Sequence, residues 1–182
     1  MENEQVQEKS KILVDGTLSV RGAEAEAEIV CLYYSIVEFG LDKVIWYQKI
    51  PSLSEFFDWL ESGNNNLVLL FDESKMVGAG FINEVKYQAD DKYRCEVGFV
   101  TFPGLSPFKA VKLGKMAFNL TMSELKYDYY YGTTPACNPK AIKYAELLGM
   151  KPISRIPNLV SYNGKTDDAV ISYISKDSYP LK

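Results

Sequence analysis

The stretch NPKAIKYAELLGMKP, residues 138 to 152, carries the most information about the fold of this chain. It comes just after the tyrosine-rich, strand-like run DYYYGTTP, residues 128 to 135. Asn138 is a favourable helix N-cap, and Pro139 is a favourable first helical residue. The alanine and leucine positions that follow fall on one helical face, and Gly149 marks the helix end. The stretch therefore predicts a strand that leads into a short amphipathic helix with an asparagine cap.

Three further helices are predicted by apolar residues that recur at helical spacing, over 22–39, 52–63 and 106–125. Ser52 and Glu55 have the spacing of a capping box at the start of the second of these helices. Its buried stripe is predicted to consist of three apolar residues, Phe56, Trp59 and Leu60. Ser106 and Pro107 are the N-cap and first residue of the third helix.

Strands are predicted where short apolar runs lie between turn signals, over 66–71, 76–85, 93–102, 126–134, 151–163 and 168–175. The first two flank the polar turn DESK and form a hairpin, in which Gly78 and Gly80 predict a bulge or a close backbone approach. Asn163-Gly164 predicts a turn between the last two strands. An Asp15-Gly16 turn predicts a hairpin or an interrupted strand over 11–20.

This order of elements predicts one α+β domain over residues 21–182, with a mixed, mostly antiparallel sheet flanked by helices. Residues 1–20 are predicted to be an N-terminal extension or a first strand. We find no internal repeat or linker in the sequence that would divide the chain.

Composition narrows the class of function. The formal net charge of −4 argues against a general nucleic-acid-binding protein. The sequence has no apolar run as long as a membrane span, and its polar first residues differ from a secretory signal peptide. Cys31, Cys95 and Cys137 are too few and too widely spaced for a disulfide framework or a zinc site. They predict buried free thiols and a cytoplasmic protein.

The chain contains no histidine. A Ser-His-Asp triad, a Cys-His pair and a histidine-ligated metal are therefore excluded, and we expect no metal site. A general base would have to be a carboxylate, a lysine, a tyrosine, a cysteine, a backbone group or a relayed water.

The strand and the Asn138 helix resemble the C-terminal signature of the GNAT superfamily of N-acetyltransferases, and the element order is similar over residues 20–175. The run KYAELLGM, residues 143 to 150, resembles the ribosomal-protein-acetyltransferase subgroup. The resemblance implies acetyl-CoA as a cosubstrate and transfer of its acetyl group to a primary amine by direct attack. It leaves open the identity of the amine and whether the chain forms a homodimer or binds an assembly partner.

The resemblance also implies roles for individual residues. Glu96 stands where a carboxylate of the family often deprotonates the amine, directly or through water. A solvent-facing residue paired with a lysine or arginine is the alternative for Glu96. The backbone of Gly98, Phe99 and Val100 corresponds to the strand that polarises the acetyl carbonyl. Asn138 corresponds to the asparagine that contacts the pantetheine arm, and it can serve as a helix cap alone or in both roles.

The chain departs from the family at the phosphate loop, which reads Q/R-x-x-G-x-G/A. The corresponding segment is KAVKLG, residues 109 to 114, where Lys109 and Gly114 match but Lys112 replaces the first glycine. Lys109 and Lys112, with Lys115, either surround a phosphate site or form the solvated face of an amphipathic helix.

A second departure concerns the tyrosine that often serves as the general acid, seven residues after the asparagine. That position is Ala145 here, and Tyr144 points about 100° away around the helix. The departures keep a second function open, a catalytically inactive GNAT-like assembly, virion-associated or inhibitory protein. Some small phage-encoded proteins look similar in their tyrosine-rich strands and altered phosphate loop.

Overall fold

The structure is a computed structural model that describes residues 11–46, 50–62, 65–84, 93–162 and 164–179. The strands of this part of the chain are β1 Leu13–Asp15, β2 Leu18–Gly22, β3 Asn65–Asp72, β4 Lys75–Glu84, β5 Arg94–Thr101, β6 Tyr129–Pro135, β7 Lys151–Tyr162 and β8 Lys165–Ser175. The helices are α1 Glu26–Glu38, α2 Asp42–Ile45, α3 Leu53–Glu61, α4 Pro107–Glu124 and α5 Pro139–Leu147, followed at the end by a 3₁₀ helix, Lys176–Ser178.

All eight strands form one sheet in the order β1-β2-β3-β4-β5-β6-β8-β7. Neighbouring strands are antiparallel except β5 and β6, which pair in parallel through Arg94–Glu96 and Tyr129–Tyr131. Beyond Glu96 and Tyr131 these two strands no longer pair, so a gap opens in the middle of the sheet. The predicted α+β fold with a mixed, mostly antiparallel sheet is confirmed.

The sheet has a hydrophobic core on each face. Leu67, Leu69 and Phe71 of β3 pack with α1 and α3, while Val68 and Leu70 pack on the side of α4. This alternation explains why β3 reads as an unbroken apolar run, because a strand covered on both faces has no solvent side.

The predicted helix caps are confirmed. The backbone N–H of Ser52 donates to the Glu55 carboxylate at 2.7 Å, and the Ser52 hydroxyl accepts from the Glu55 N–H at 3.3 Å. Ser106 caps α4, and the Asn138 side chain caps α5 by accepting from the N–H of Ala141 at 3.1 Å. Each cap satisfies a backbone donor that has no partner inside its own helix.

The close approach predicted at Gly78 is also confirmed. A Cβ atom on Gly78 would lie 2.2 Å from the Val100 carbonyl oxygen on β5, so only glycine fits there. The register between β3 and β4 shifts at Leu70 and Phe71, which is the predicted irregularity of this hairpin.

Several boundaries differ from the prediction. The first helix begins at Glu26 instead of residue 22, because Arg21 and Gly22 extend β2 and pair with β3. The last strand begins at Lys165, three residues before the predicted start. Residues 13–22 form the hairpin that the Asp15-Gly16 turn predicted. Of the predicted turn at 163–164, Asn163 lies outside the described residues.

The prediction of buried thiols holds for one cysteine and is wrong for two. Cys95 is buried, and burial raises the pKa of its thiol, whereas Cys31 and Cys137 are exposed. Cys137 lies in the short connection before α5, where its backbone N–H donates to Asp167 at 2.8 Å. Among the helices of the described ranges, none combines the length and apolar character needed to cross a bilayer.

Candidate functional site

A cavity of about 630 Å³ occupies the gap that opens between β5 and β6. Its walls come from residues 96–101 of β5, residues 132–134 of β6, and side chains of α3 and α5. Because α3 packs on one face of the sheet and α5 packs with α4 on the other, the cavity reaches through the sheet.

Three polar side chains form a row at the point where β5 and β6 separate. Asn83 of β4 lies directly opposite Glu96 of β5 in the antiparallel register. Thr133 of β6 lies two residues beyond Tyr131, which pairs with Glu96. The Thr133 hydroxyl donates to Glu96 Oε1 at 2.7 Å, so β6 orients this carboxylate across the gap.

Glu96 is half-buried in the cavity wall, and its neighbours Cys95 and Val97 point into the core on the opposite face. Side chains along β5 therefore alternate between the two faces of the sheet. The hydrogen bond that Glu96 accepts from Thr133 joins it to a hydroxyl group across the gap, whereas the alternative predicted a lysine or arginine as its partner. Glu96 thus borders the cavity, and its catalytic role stays a prediction.

Gly98 makes room in the same wall. It lies opposite Phe81, and a Cβ atom added to Gly98 would meet no atom within 4 Å. Phe99 points to the other face, where its ring contacts Phe118 and Tyr144 at centroid distances of 5.4 and 6.2 Å. Gly98, Phe99 and Val100 all border the cavity, and their contact with a cosubstrate stays a prediction.

Helix α5 forms the opposite wall with Asn138, Tyr144 and Ala145. The Asn138 amide nitrogen lies 3.5 Å from the Tyr162 hydroxyl, while its oxygen caps the helix. The Tyr144 hydroxyl donates to the Ala110 carbonyl at 3.1 Å, and burial raises its pKa above the usual range. The Tyr144 hydroxyl therefore joins α5 to α4 instead of reaching a reacting group.

The segment that corresponds to the phosphate loop of the family is helical, as the helix predicted over 106–125 implies. Residues 109–114 lie inside α4, which begins at Pro107 behind the Ser106 cap. Gly114 is buried at the crossing with α5, where a Cβ atom would lie 2.4 Å from the Tyr144 hydroxyl and 2.7 Å from a Leu148 methyl group. Helix packing accounts for this glycine. The cap signal at Ser106 and Pro107 located this helix start from the sequence, as predicted.

The two lysines of that segment have partners outside the cavity. The Lys109 ammonium bonds to the Asp72 carboxylate, and this hydrogen bond holds the pKa of Asp72 below its usual range. Lys112 Nζ lies 2.7 Å from Asp15 Oδ2. Neither lysine lines the cavity. Contact of either one with a phosphate group stays a prediction.

Sequence reasoning missed the aromatic wall of the cavity. Trp46, Phe56, Trp59 and Phe81 line it on the side of α2 and α3. Phe56 and Trp59 fall on one helical face, as predicted, but helical periodicity does not distinguish a core from a cavity wall.

The order of elements and the parallel pair that opens into a cleft define the fold of the GNAT N-acetyltransferases, as the sequence predicted. No protein-family model matches the chain, and no curated protein sequence matches it significantly. The agreement with solved structures is therefore an agreement of fold.

Three of these structures extend over nearly the whole chain. A spermidine N-acetyltransferase from Vibrio cholerae, in complex with CoA and spermine, is 17% identical over 91% of this chain and 99% of its own, with a TM-score of 0.76. A ribosomal L7/L12 alpha-N-protein acetyltransferase with coenzyme A is 16% identical over 93% and 100%, with a TM-score of 0.71. A ribosomal-protein-S5-alanine acetyltransferase from Vibrio fischeri is 11% identical over 93% and 100%, with a TM-score of 0.73.

Proposed function

We propose that this chain is an acetyl-CoA-dependent N-acetyltransferase that transfers the acetyl group to a primary amine by direct attack. The observation that carries the proposal is the cavity between β5 and β6, with a carboxylate at the point where the strands separate. Similar structures that were solved with CoA, including the spermidine and L7/L12 enzymes, support acetyl-CoA as the cosubstrate.

In the proposed reaction the acceptor enters as an ammonium ion and Glu96 takes one proton, directly or through water. The amine nitrogen then forms a bond to the thioester carbonyl carbon, and the bond from that carbon to sulfur breaks. The second proton leaves the nitrogen and ends on the coenzyme A thiolate, so the products are an amide and the free thiol. Thr133 orients Glu96 through its 2.7 Å hydrogen bond.

The remaining cavity residues would hold the cosubstrate. The backbone of Gly98, Phe99 and Val100 borders the cavity where the acetyl group would lie, and Asn138 lines the cavity where the pantetheine arm would pass. The first turn of α4 would receive the phosphates, because a helix N-terminus favours negative charge. Lys109 and Lys112 would add positive charge there by exchanging Asp72 and Asp15 for phosphate oxygens.

Cell compartment and partners are part of the proposal. Free cysteines at positions 31, 95 and 137 support a reducing compartment such as the cytoplasm. A net charge of −4 supports a cationic acceptor over a nucleic-acid partner. A phage-type origin and a homodimer rest on resemblance alone.

Calorimetric titration of acetyl-CoA into the purified protein, with coenzyme A and buffer as parallel titrations, tests the cosubstrate site. We expect a micromolar dissociation constant. The double substitution Lys109→Ala and Lys112→Ala should weaken binding and reduce its salt dependence. No binding at millimolar acetyl-CoA would overturn the proposal and point to a GNAT-like fold without turnover.

A further inference from the structure

The α2–α3 side of the cavity has a continuous aromatic wall. The Phe56 ring lies at centroid distances of 5.9 Å from Trp46, 5.8 Å from Trp59 and 6.2 Å from Phe81. The Phe56 and Trp59 rings are stacked, with an interplanar angle of 4°. Such a wall binds flat apolar groups well and also attracts a cation.

The charge of the cavity points to an acceptor with a single positive charge. Among the described residues that line it, none is a lysine or arginine, and the carboxylates belong to Glu55 and Glu96. The Glu55 carboxylate accepts from the Ser52 N–H and hydroxyl at 2.7 and 3.0 Å as part of the α3 cap. Of these two carboxylates, Glu55 is used by the helix cap, so Glu96 is the one that can pair with a positively charged acceptor.

Asn83 supplies the second observation that points to a ligand. Its Oδ1 atom is buried, has no hydrogen-bond partner among the residues that the structure describes, and belongs to a side chain of the cavity wall directly opposite Glu96. A buried acceptor without a partner costs roughly 1–3 kcal/mol, which a donor from a bound molecule would recover. An ammonium group has three donors and can serve Asn83 and Glu96 together.

We infer that the acceptor is an arylalkylamine, with its ammonium group between Asn83 and Glu96 and its ring against the aromatic wall. This substrate class rests on the proposed function. A cavity of about 630 Å³ must also admit the acetyl end of the cosubstrate, which favours a compact acceptor over a long one. A polyamine would need further carboxylates for its other charges.

Tryptophan fluorescence tests this site without acetyl-CoA. The chain has two tryptophans, Trp46 and Trp59, and both line the cavity. Titration with 2-phenylethylamine should change the emission saturably. The isosteric 2-phenylethanol, which lacks the positive charge, should bind at least about tenfold more weakly. Equal affinities for the two compounds would overturn the assigned ammonium site.

Matched variants separate the site from general effects on folding. Asn83→Ser should raise the KM for 2-phenylethylamine at least about tenfold and leave acetyl-CoA binding unchanged. Asn119→Ser is the control, because Asn119 Oδ1 is also buried with no partner in the described part of the chain but lies on α4, outside the cavity wall. Equal effects of the two substitutions on KM would contradict the role of Asn83.

An acceptor comparison distinguishes failure of this inference from failure of the proposed function. With acetyl-CoA present, 2-phenylethylamine should have a kcat/KM well above that of spermidine or an alanyl peptide amide. Faster acetylation of spermidine or the peptide would overturn the arylalkylamine class and leave the acetyltransferase intact. Absence of acetyl-CoA binding in calorimetry would instead overturn the proposed function, whatever the amine binds.

Discussion

At the scale of single residues, the position of Glu96 decides how the cavity can work. It is the last residue of β5 that pairs with β6, so its side chain projects where the gap begins. The hydroxyl of Thr133 fixes it from the far side of the gap. A carboxylate at this point is supported by three strands, β4, β5 and β6, instead of a loop, which favours a fixed geometry.

Glu96→Gln should lower kcat by an order of magnitude or more, because glutamine keeps the shape of the side chain but does not accept the proton. The acetyl-CoA dissociation constant from calorimetry should stay within about twofold of wild type. Unchanged kcat in a steady-state assay would remove Glu96 from the mechanism and leave water or another group as the base.

Gly98 offers a test of the cavity that does not disturb the fold. Since a Cβ atom there would meet nothing within 4 Å, Gly98→Val should leave the free energy of unfolding almost unchanged. The added methyl groups would fill space that the cosubstrate needs, and acetyl-CoA affinity should fall at least about tenfold. Gly98→Ala is the graded control, and it should reduce the acetyl-CoA affinity by a smaller factor. Wild-type affinity in the valine variant would place the cosubstrate elsewhere.

At the scale of elements, an ion pair joins α1 to the sheet. Arg21 of β2 bonds to Glu28 in the first turn of α1, and the two side chains are 17% and 23% exposed. Arg21 also lies over the Phe71 ring at 4.7 Å. The hydrogen bond from Arg21 lowers the pKa of Glu28 from its usual value near 4.5 to about 2.

This lowered pKa predicts a pH-dependent contribution to stability. The contribution is complete above the unfolded pKa near 4.5 and is lost as the pH falls toward about 2. Glu28→Gln should therefore destabilise the protein at pH 7 by about 1 to 2 kcal/mol, since the pair is partly solvated. The difference from wild type in urea unfolding should shrink between pH 4.5 and 2. Exposed Glu26→Gln is the control, and an equal loss there would contradict the ion-pair explanation.

The crossing of α4 and α5 predicts an effect of Gly114 on stability. Gly114→Val would force the Tyr144 ring away from α4 and break its hydrogen bond to Ala110. We expect a loss of about 1 to 3 kcal/mol in the free energy of unfolding, measured by urea denaturation. Lys115→Val, at the exposed neighbouring position, should cost much less. A stable Gly114→Val variant with lost coenzyme A affinity would restore Gly114 to the phosphate site.

At the scale of the whole molecule, the sequence predicted the fold better than the site. Helix caps at Ser52, Ser106 and Asn138 are local signals, readable within three residues, and all three are confirmed. The hairpin β3–β4 was readable for the same reason. The position at which β5 and β6 separate depends on the pairing of two strands that are far apart in the sequence, with α4 between them. A local sequence pattern therefore does not predict it.

The site residues show the same limit. Lys109 bonds to Asp72, 37 residues earlier in the chain. The position of Lys109 on the helix therefore does not reveal which residue it pairs with. Phe56 and Trp59 fit the pattern of a core stripe, but the gap in the sheet turns them into a cavity wall. Glu96 lines the cavity, and the sequence singled it out only through the resemblance of its strand to a known family.

The cavity that reaches through the sheet has a consequence for the order of events. Its lining comes from α3 on one face of the sheet and from α5 on the other, so the cosubstrate and the acceptor of the proposed reaction can occupy it together, one toward each face. Under the proposed direct attack, neither has to depart before the other arrives, and no acetylated form of the protein is required. Double-reciprocal plots at several fixed concentrations of one reactant should therefore intersect, and parallel lines would indicate that one product leaves first.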